Sequence, residues 1–224
     1  MPDIYLIRHT TPAVDKGICY GQTDLDVTGS FEEEAAVIGQ CIPSTFGAIY
    51  SSPLRRCTML AKRLFPGHPL LLREQLMEIH CGEWEMKTWD ELPKEVIDPW
   101  MADFVNIRIP GGESYIDLHS RVSHCWEEIV AFAGTDPGHG PTGTEAQAPP
   151  PVAVVAHGGV IRSILAGLTG TPLIDSFKAF ALHYGCVIRI ETSSAGPVLS
   201  VLSNRAPAEK EQHKPSNFYT KSNL

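Results

Sequence analysis

Two histidines stand directly after short apolar runs, His9 after Ile4-Tyr5-Leu6-Ile7-Arg8 and His157 after Val152-Ala153-Val154-Val155-Ala156. A third run, residues 48–51, leads into Ser52-Pro53-Leu54-Arg55-Arg56. In an open parallel sheet the carboxyl ends of neighbouring strands border one crevice, the usual ligand position, so two histidines and at least one arginine converge there. Successive residues on a helix point about 100° apart, so only one of Arg55 and Arg56 faces the crevice. Gly158-Gly159 lets backbone N–H groups come close to a ligand at a helix N-terminus, where the partial positive charge favours an anion. A phosphate fits this set of residues.

Metal binding is the rival use of histidine. The sequence has no HExxH, no His-x-His and no Cys-x-x-Cys, and His119 and His124 are off helical register for a shared ion, so neither a metal nor another cofactor is expected. A serine nucleophile would need a Gly-x-Ser-x-Gly elbow, which is absent.

The elements that must position these groups follow from the pattern of the chain. Residues 4–8 read as a buried strand that opens into a loop containing Gly17 and Cys19-Tyr20-Gly21-Gln22-Thr23-Asp24. Ser30 with Glu33 reads as a capping box, and Phe31, Ala35, Ile38 and Ile42 recur at helical spacing. Residues 48–51 form the second strand. Ser52-Pro53 then starts a helix with Leu54, Cys57, Ala61 and Leu64 on one face, stopped by Pro66-Gly67. Residues 70–72 form a third strand, and 74–86 read as loop. Residues 89–104 read as a helix broken at Pro93 and Pro99, and Ser114 caps a helix whose apolar face is Leu118, Val122, Cys125, Ile129 and Phe132. The Gly-, Pro- and Thr-rich stretch 134–151 reads as a flexible surface insertion, because the strand at 152–156 is needed to complete the first core. A helix over 160–168 and closing strands at 187–190 and 198–202 follow, with a turn at 193–196. The polar tail 204–224 is expected to be disordered.

The 224 residues favour one domain, placed at 1–203. An apolar fraction of 43% and a charged fraction of 20% exclude a mostly disordered or collagen-like chain. The net charge of −8 opposes nucleic-acid or anionic-membrane partners. Any anion site is therefore local. Six scattered cysteines, no apolar run of membrane length and no signal-peptide pattern at Met1-Pro2-Asp3 point to free thiols in a cytoplasmic protein. Oligomeric state is not legible.

Six segments, taken in order, resemble a known family: Leu6-Ile7-Arg8-His9-Thr10, Gly17-x-Cys19-Tyr20-Gly21, Ser52-Pro53-Leu54-x-Arg56-Cys57, Leu76-x-Glu78 with Gly82-Glu83-Trp84-Glu85, Pro110-Gly111-Gly112-Glu113-Ser114 and His157-Gly158-Gly159. Over residues 3–191 the chain resembles the histidine phosphatase superfamily, also called phosphoglycerate mutase-like. Thr10, the Cys-Tyr-Gly loop and the Gly-Glu-Trp-Glu-Met run resemble its alpha-ribazole phosphatase branch, which acts late in building the lower nucleotide loop of cobalamin.

The resemblance implies an α/β fold, a three-layer α/β/α sandwich with a mostly parallel central sheet. It also implies a metal-independent phosphomonoesterase acting on a phosphorylated small molecule. His9 would be the nucleophile and Glu78 the proton donor, with Glu83 or Glu85 as the alternative acid. Arg8, Arg56 and His157 would bind the phosphoryl group, joined at the substrate by Thr10, Tyr20, Gly21, Gln22, Thr23 and Gly158. The physics agrees, because cationic Arg8 and Arg56 disfavour the imidazolium form of His9 and neutralise the equatorial oxygens during transfer. Thr10, Pro12 and Asp15 depart from the mutase-like pattern, so a phosphoglycerate mutase is disfavoured. Asp15 is expected to point away from the phosphate. Leu60, which replaces the Thr common after the motif arginine, is expected to affect packing only. Gly111-Gly112-Glu113-Ser114 is read either as a cap and turn or as a substrate contact. A broad-specificity phosphatase of the same superfamily is the runner-up, and a non-catalytic binding module is disfavoured because His9, Arg56 and His157 are all present.

Overall fold

The computed structural model describes residues 2–134, 149–193 and 196–205. Six strands, β1 (Ile4–Arg8), β2 (Ala48–Ser51), β3 (Leu71–Leu72), β4 (Val152–Ala156), β5 (Val187–Ser193) and β6 (Gly196–Ser203), form one sheet in the order β3-β2-β4-β1-β5-β6. β2 pairs with β3 and β4, and β4 with β1, all in parallel. β5 runs antiparallel to both β1 and β6. The sheet is mostly parallel, as the order of strands and helices implies.

Strand alternation divides the core into two layers. Ile4 and Leu6 of β1, with Val152, Val154 and Ala156 of β4, pack into one apolar cluster with α3 (Lys94–Ala102), α4 (Tyr115–Gly134) and α5 (Gly158–Thr169). Tyr5 and Ile7, with Ala153 and Val155, face the opposite cluster against α1 (Phe31–Gly39) and α2 (Arg55–Leu64). Leu60 is buried in this second cluster, a packing position. A strand buried on both faces must be apolar throughout, which is why β1 and β4 carry no polar alternation.

Several local expectations are corrected. Ser30 takes a helical backbone conformation, and its hydroxyl donates to Glu34 rather than joining Glu33 in a capping box. Glu34 then accepts from the N–H of Thr11, tying α1 to the loop after His9. Arg55, two residues later than expected, is the first residue of α2, and the third strand shortens to Leu71–Leu72. The 74–86 loop contains 3-10 turns at Glu74–Leu76 and Gly82–Trp84. The 89–104 stretch divides into a 3-10 turn, Trp89–Glu91, and α3. α3 runs through Pro99, because the ring removes a single N–H from a short helix. Phe132 is 48% exposed, at the end of α4 beyond the sheet, with its ring against Tyr50. Ser114 does cap α4, in reciprocal hydrogen bonds with Asp117.

A last helix, α6 (Ser176–Ala179), precedes β5, whose pairing with β6 reaches further than expected at both ends of the turn. The insertion at 135–148, the turn residues 194–195 and the tail from 206 lie outside the described residues. Asn204 is described, and its amide is hydrogen-bonded to the 181–183 segment, so the expected tail begins beyond it. No helix among the described residues is long and apolar enough to cross a membrane.

Candidate active site

The parallel register sets Arg8 opposite Ala156, and the residues that follow, His9 and His157, meet with ring centroids 5.0 Å apart. His9 is 2% exposed and its N–H donates to the Ala156 carbonyl at 3.1 Å. Its Nδ1 lies 2.7 Å from the carbonyl oxygen of Thr10. A carbonyl only accepts, so Nδ1 carries the hydrogen and Nε2 keeps the lone pair. Burial, then the charges of Arg56 and Arg8, hold the His9 pKa well below 6.5, outweighing the Thr10 carbonyl. His157 is lowered in the same way by burial, Arg56, His9 and Arg8. Its Nε2 is 2.8 Å from Ser52 Oγ, on the turn after β2. The site therefore holds two neutral imidazoles beside cationic groups.

Arg56, on the first turn of α2, is fully buried, while Arg55 is exposed and pairs with Asp26. Arg56 donates from Nη1 to the Thr23 carbonyl at 2.8 Å and from Nη2 to the Gly21 carbonyl at 2.6 Å. Among the described residues no carboxylate pairs with it, and its Nε has no acceptor. The buried Thr10 hydroxyl also lacks a partner. A buried charge without a counter-ion is costly, and an anion beside Arg56 would offset that cost.

The 21–23 segment supplies these carbonyls because its N–H groups are held from the other side. Glu85 accepts from the N–H groups of Gly21, Gln22, Thr23 and Cys81 and from the Thr23 hydroxyl. Burial would raise the Glu85 pKa, but these hydrogen bonds prevail and hold it below 4.5. The backbone N–H groups of Gly21, Gln22 and Thr23, residues expected to touch substrate, are engaged by Glu85, and the carbonyls of Gly21 and Thr23 orient Arg56. Glu85 is committed to that task, and Glu83 is exposed.

Glu78 enters the site from the turn after Glu74–Leu76. Its Oε2 accepts from the Gly159 N–H at 3.0 Å, at the N-terminus of α5, and its Oε1 from the Ile79 N–H at 2.9 Å. Arg121 of α4 clamps this loop, donating to the carbonyls of Gln75, Met77 and Glu78 while its other edge pairs with Glu113. The 110–114 run is a cap and turn that braces the same loop, with the Glu113 N–H on His80 O and the Glu83 N–H on Pro110 O.

Tyr20 donates to or accepts from the Tyr184 hydroxyl at 2.5 Å, and the two rings lie 5.6 Å from the Arg56 guanidinium and 4.0 Å from that of Arg8. Arg8 Nη1 also donates to the Leu182 carbonyl. Asp15 is exposed. Sequence reasoning had no reading for residues 169–186, which build this wall, nor for Arg162, Arg121 or the carboxylate collar of Glu85. The one available signal was an arginine on α5 one turn after Gly158-Gly159.

The chain belongs to the histidine phosphatase superfamily (branch 1), which its sequence matches over residues 4–205, and it is a hydrolase that acts on phosphorylated small molecules. It is 30% identical over 176 residues to a glucosyl-3-phosphoglycerate phosphatase of Mycolicibacterium vanbaalenii, covering 76% of this chain and 75% of that one. It is 24% identical over 210 residues to the adenosylcobalamin/alpha-ribazole phosphatase of Salmonella typhimurium, covering 91% and 96%. The fold is similar to the crystal structure of the alpha-ribazole phosphatase from Shigella flexneri, with a TM-score of 0.77 at 22% identity over 93% of this chain and 99% of that one.

Proposed function

We propose that the chain hydrolyses phosphomonoesters through a phosphohistidine on His9, with alpha-ribazole 5'-phosphate as its substrate. The observation that carries the first part is the fully buried Arg56, without a carboxylate partner among the described residues, beside a neutral His9 whose Nε2 lone pair is unengaged. The Nε2 pair attacks phosphorus, the bond to the leaving oxygen breaks, and the acid form of Glu78 gives its proton to that oxygen. The positive charge that develops on the imidazole is shared with the Thr10 carbonyl through Nδ1–H. Water then attacks phosphorus, Glu78 takes its proton, and the P–N pair returns to Nε2. Arg8, Arg56 and His157 hold the equatorial oxygens throughout. Ser52 engages His157 Nε2, which leaves Nδ1 to face the phosphoryl group.

The substrate assignment is supported by the Thr10, Cys-Tyr-Gly and Gly-Glu-Trp-Glu-Met segments and by the similarity to the Salmonella typhimurium protein. Six unpaired thiols support a cytoplasmic setting. A panel of phosphomonoesters tests the assignment. Alpha-ribazole phosphate should exceed 3-phosphoglycerate in kcat/KM by a wide margin. A flat profile would make the chain a broad-specificity phosphatase and refute the substrate.

A further inference from the structure

The peptide group between Thr10 and Thr11 is engaged on both edges. Its carbonyl oxygen lies 2.7 Å from His9 Nδ1, and its N–H donates to Glu34 Oε2 at 2.8 Å. In a trans peptide the C=O and N–H point in opposite directions, so a carbonyl turned toward the nucleophile sends the N–H away from it, to α1. The Thr11 hydroxyl donates to the same Glu34 oxygen at 3.2 Å, and Ser30 Oγ donates to Oε1 at 2.6 Å. Among the described residues no lysine, arginine or histidine pairs with this carboxylate.

A line of hydrogen bonds thus runs from a carboxylate, through one peptide group, to the ring nitrogen opposite the attacking one. A carboxylate that accepts an N–H shifts electron density onto the carbonyl oxygen of the same amide, which becomes a stronger acceptor, because hydrogen bonds in series polarise one another. The other groups that face His9 are Arg8 on β1, Arg56 on α2, His157 after β4 and the Tyr184 ring, and the two arginines oppose positive charge on the imidazole. Attack by Nε2 creates that charge. The Thr10 carbonyl favours it, and Glu34 stands behind the carbonyl.

We propose that Glu34 is a positioning residue for the nucleophile: its carboxylate polarises the Thr10–Thr11 peptide, which holds His9 in the Nδ1–H tautomer and stabilises the charge that the ring acquires when Nε2 takes the phosphoryl group. This rests on the phosphatase reading above and adds a source for the strength of its nucleophile.

The test uses p-nitrophenyl phosphate, whose leaving group needs no acid, so that release of nitrophenol reports the attack of His9. Glu34→Gln keeps the shape of the side chain and an acceptor for the Thr11 N–H but removes the charge. In a single turnover it should release nitrophenol about 3- to 10-fold more slowly than wild type, with KM and Tm little changed, the effect of replacing a charge-assisted bond by a neutral one. Hydrolysis of the phosphohistidine should not slow, because the ring gives up its charge in that step. The ratio of phosphorylated to free enzyme at saturating substrate, measured by quench, should therefore fall by at least the same factor, and the His9 Nδ1–H proton resonance should move upfield. Glu34→Ala, which also removes the acceptor, should change the ratio in the same direction. Equal slowing of both steps, which leaves the ratio unchanged, would overturn the proposal. So would a Glu34→Gln enzyme that matches wild type while Glu34→Ala is slow, since Glu34 would then be a clamp whose charge has no part in the reaction. A wild type that forms no phosphohistidine would instead overturn the phosphatase reading itself.

Discussion

Glu78 and Gly159 are matched: the carboxylate occupies the volume that any larger residue at 159 would need. A Cβ on Gly159 would fall 2.3 Å from Glu78 Oε1. Glu78 Oε2 also accepts the Gly159 N–H, so the glycine both admits and orients the carboxylate.

Gly159→Ala should therefore mimic loss of the acid. Both Gly159→Ala and Glu78→Gln should slow hydrolysis of an alkyl phosphate by about 10²- to 10⁴-fold, the usual worth of a positioned general acid. p-Nitrophenyl phosphate, whose leaving group departs without a proton, should lose less in the first step and show a burst in stopped flow. Equal loss on both substrates with no burst would assign Glu78 to binding alone.

Glu85 should govern stability in acid. Its folded pKa is held below 4.5, so its contribution is fully present above that value and is lost as pH falls through the folded pKa. His9 and His157 act earlier, because the unfolded chain takes up protons below 6.5 that the folded site refuses, and stability falls from there downward. Glu85→Gln places an amide against N–H donors and should cost about 2 kcal/mol or more at pH 7, lowering Tm by about 4–8 °C. Thermal melts from pH 7 to 3 should show a flatter decline for the variant below pH 4.5. A parallel decline would contradict the collar.

The charge of Arg56 should be visible in the pH–rate profile. Burial and Arg56 are the two largest causes of the lowered His9 pKa. In Arg56→Gln the residual kcat/KM, corrected for titration of the substrate, should have its acid limb at higher pH than wild type, because His9 then protonates more readily. A limb that stays in place or moves to lower pH would show that Arg56 does not act on the nucleophile.

Asn204 should hold the wall that carries Phe180, Leu182 and Tyr184. It accepts the His183 N–H at 2.8 Å and donates to the Ala181 carbonyl at 2.6 Å. A chain ending at Arg205 should keep its activity, whereas one ending at Ser203 should lose about 1–2 kcal/mol of stability and gain KM. Equal behaviour of the two truncations would remove Asn204 from this role.

The sequence was most informative where chemistry and strand ends coincide. β1 and β4 are apolar on both faces, so their pattern alone puts their ends, and with them His9 and His157, in one crevice. Helical geometry limited the crevice to one of Arg55 and Arg56, and the resemblance pointed to Arg56. What was not legible depends on contacts between distant segments. Glu85 joins residues 64 and 62 positions away, at Gly21 and Thr23. Arg121 reaches the carbonyls of the Glu78 loop from α4. Neither pairing has a local pattern. Arg162 was hidden in a helix that read as a simple packing element, and its setting depends on Phe177 and Phe180, in a segment with no clear period. The start of α2 shifted and the cap of α1 changed partner because Pro53 and Ser30 permit more than one local arrangement, Ser30 bonding to Glu34, which also holds Thr11.

The most direct test of the account is the site of phosphorylation on the trapped enzyme. Rapid quench of wild type with a labelled substrate, followed by NMR of the acid-labile, base-stable product, should find phosphorus on Nε2 of His9, since Nδ1 is held by the Thr10 carbonyl. His9→Ala should form no label and retain less than about one part in a hundred of the activity, a loss of at least two tenfold steps of about 1.36 kcal/mol each. Label on Nδ1, label on another residue, or turnover by His9→Ala at near wild-type rate would contradict the mechanism.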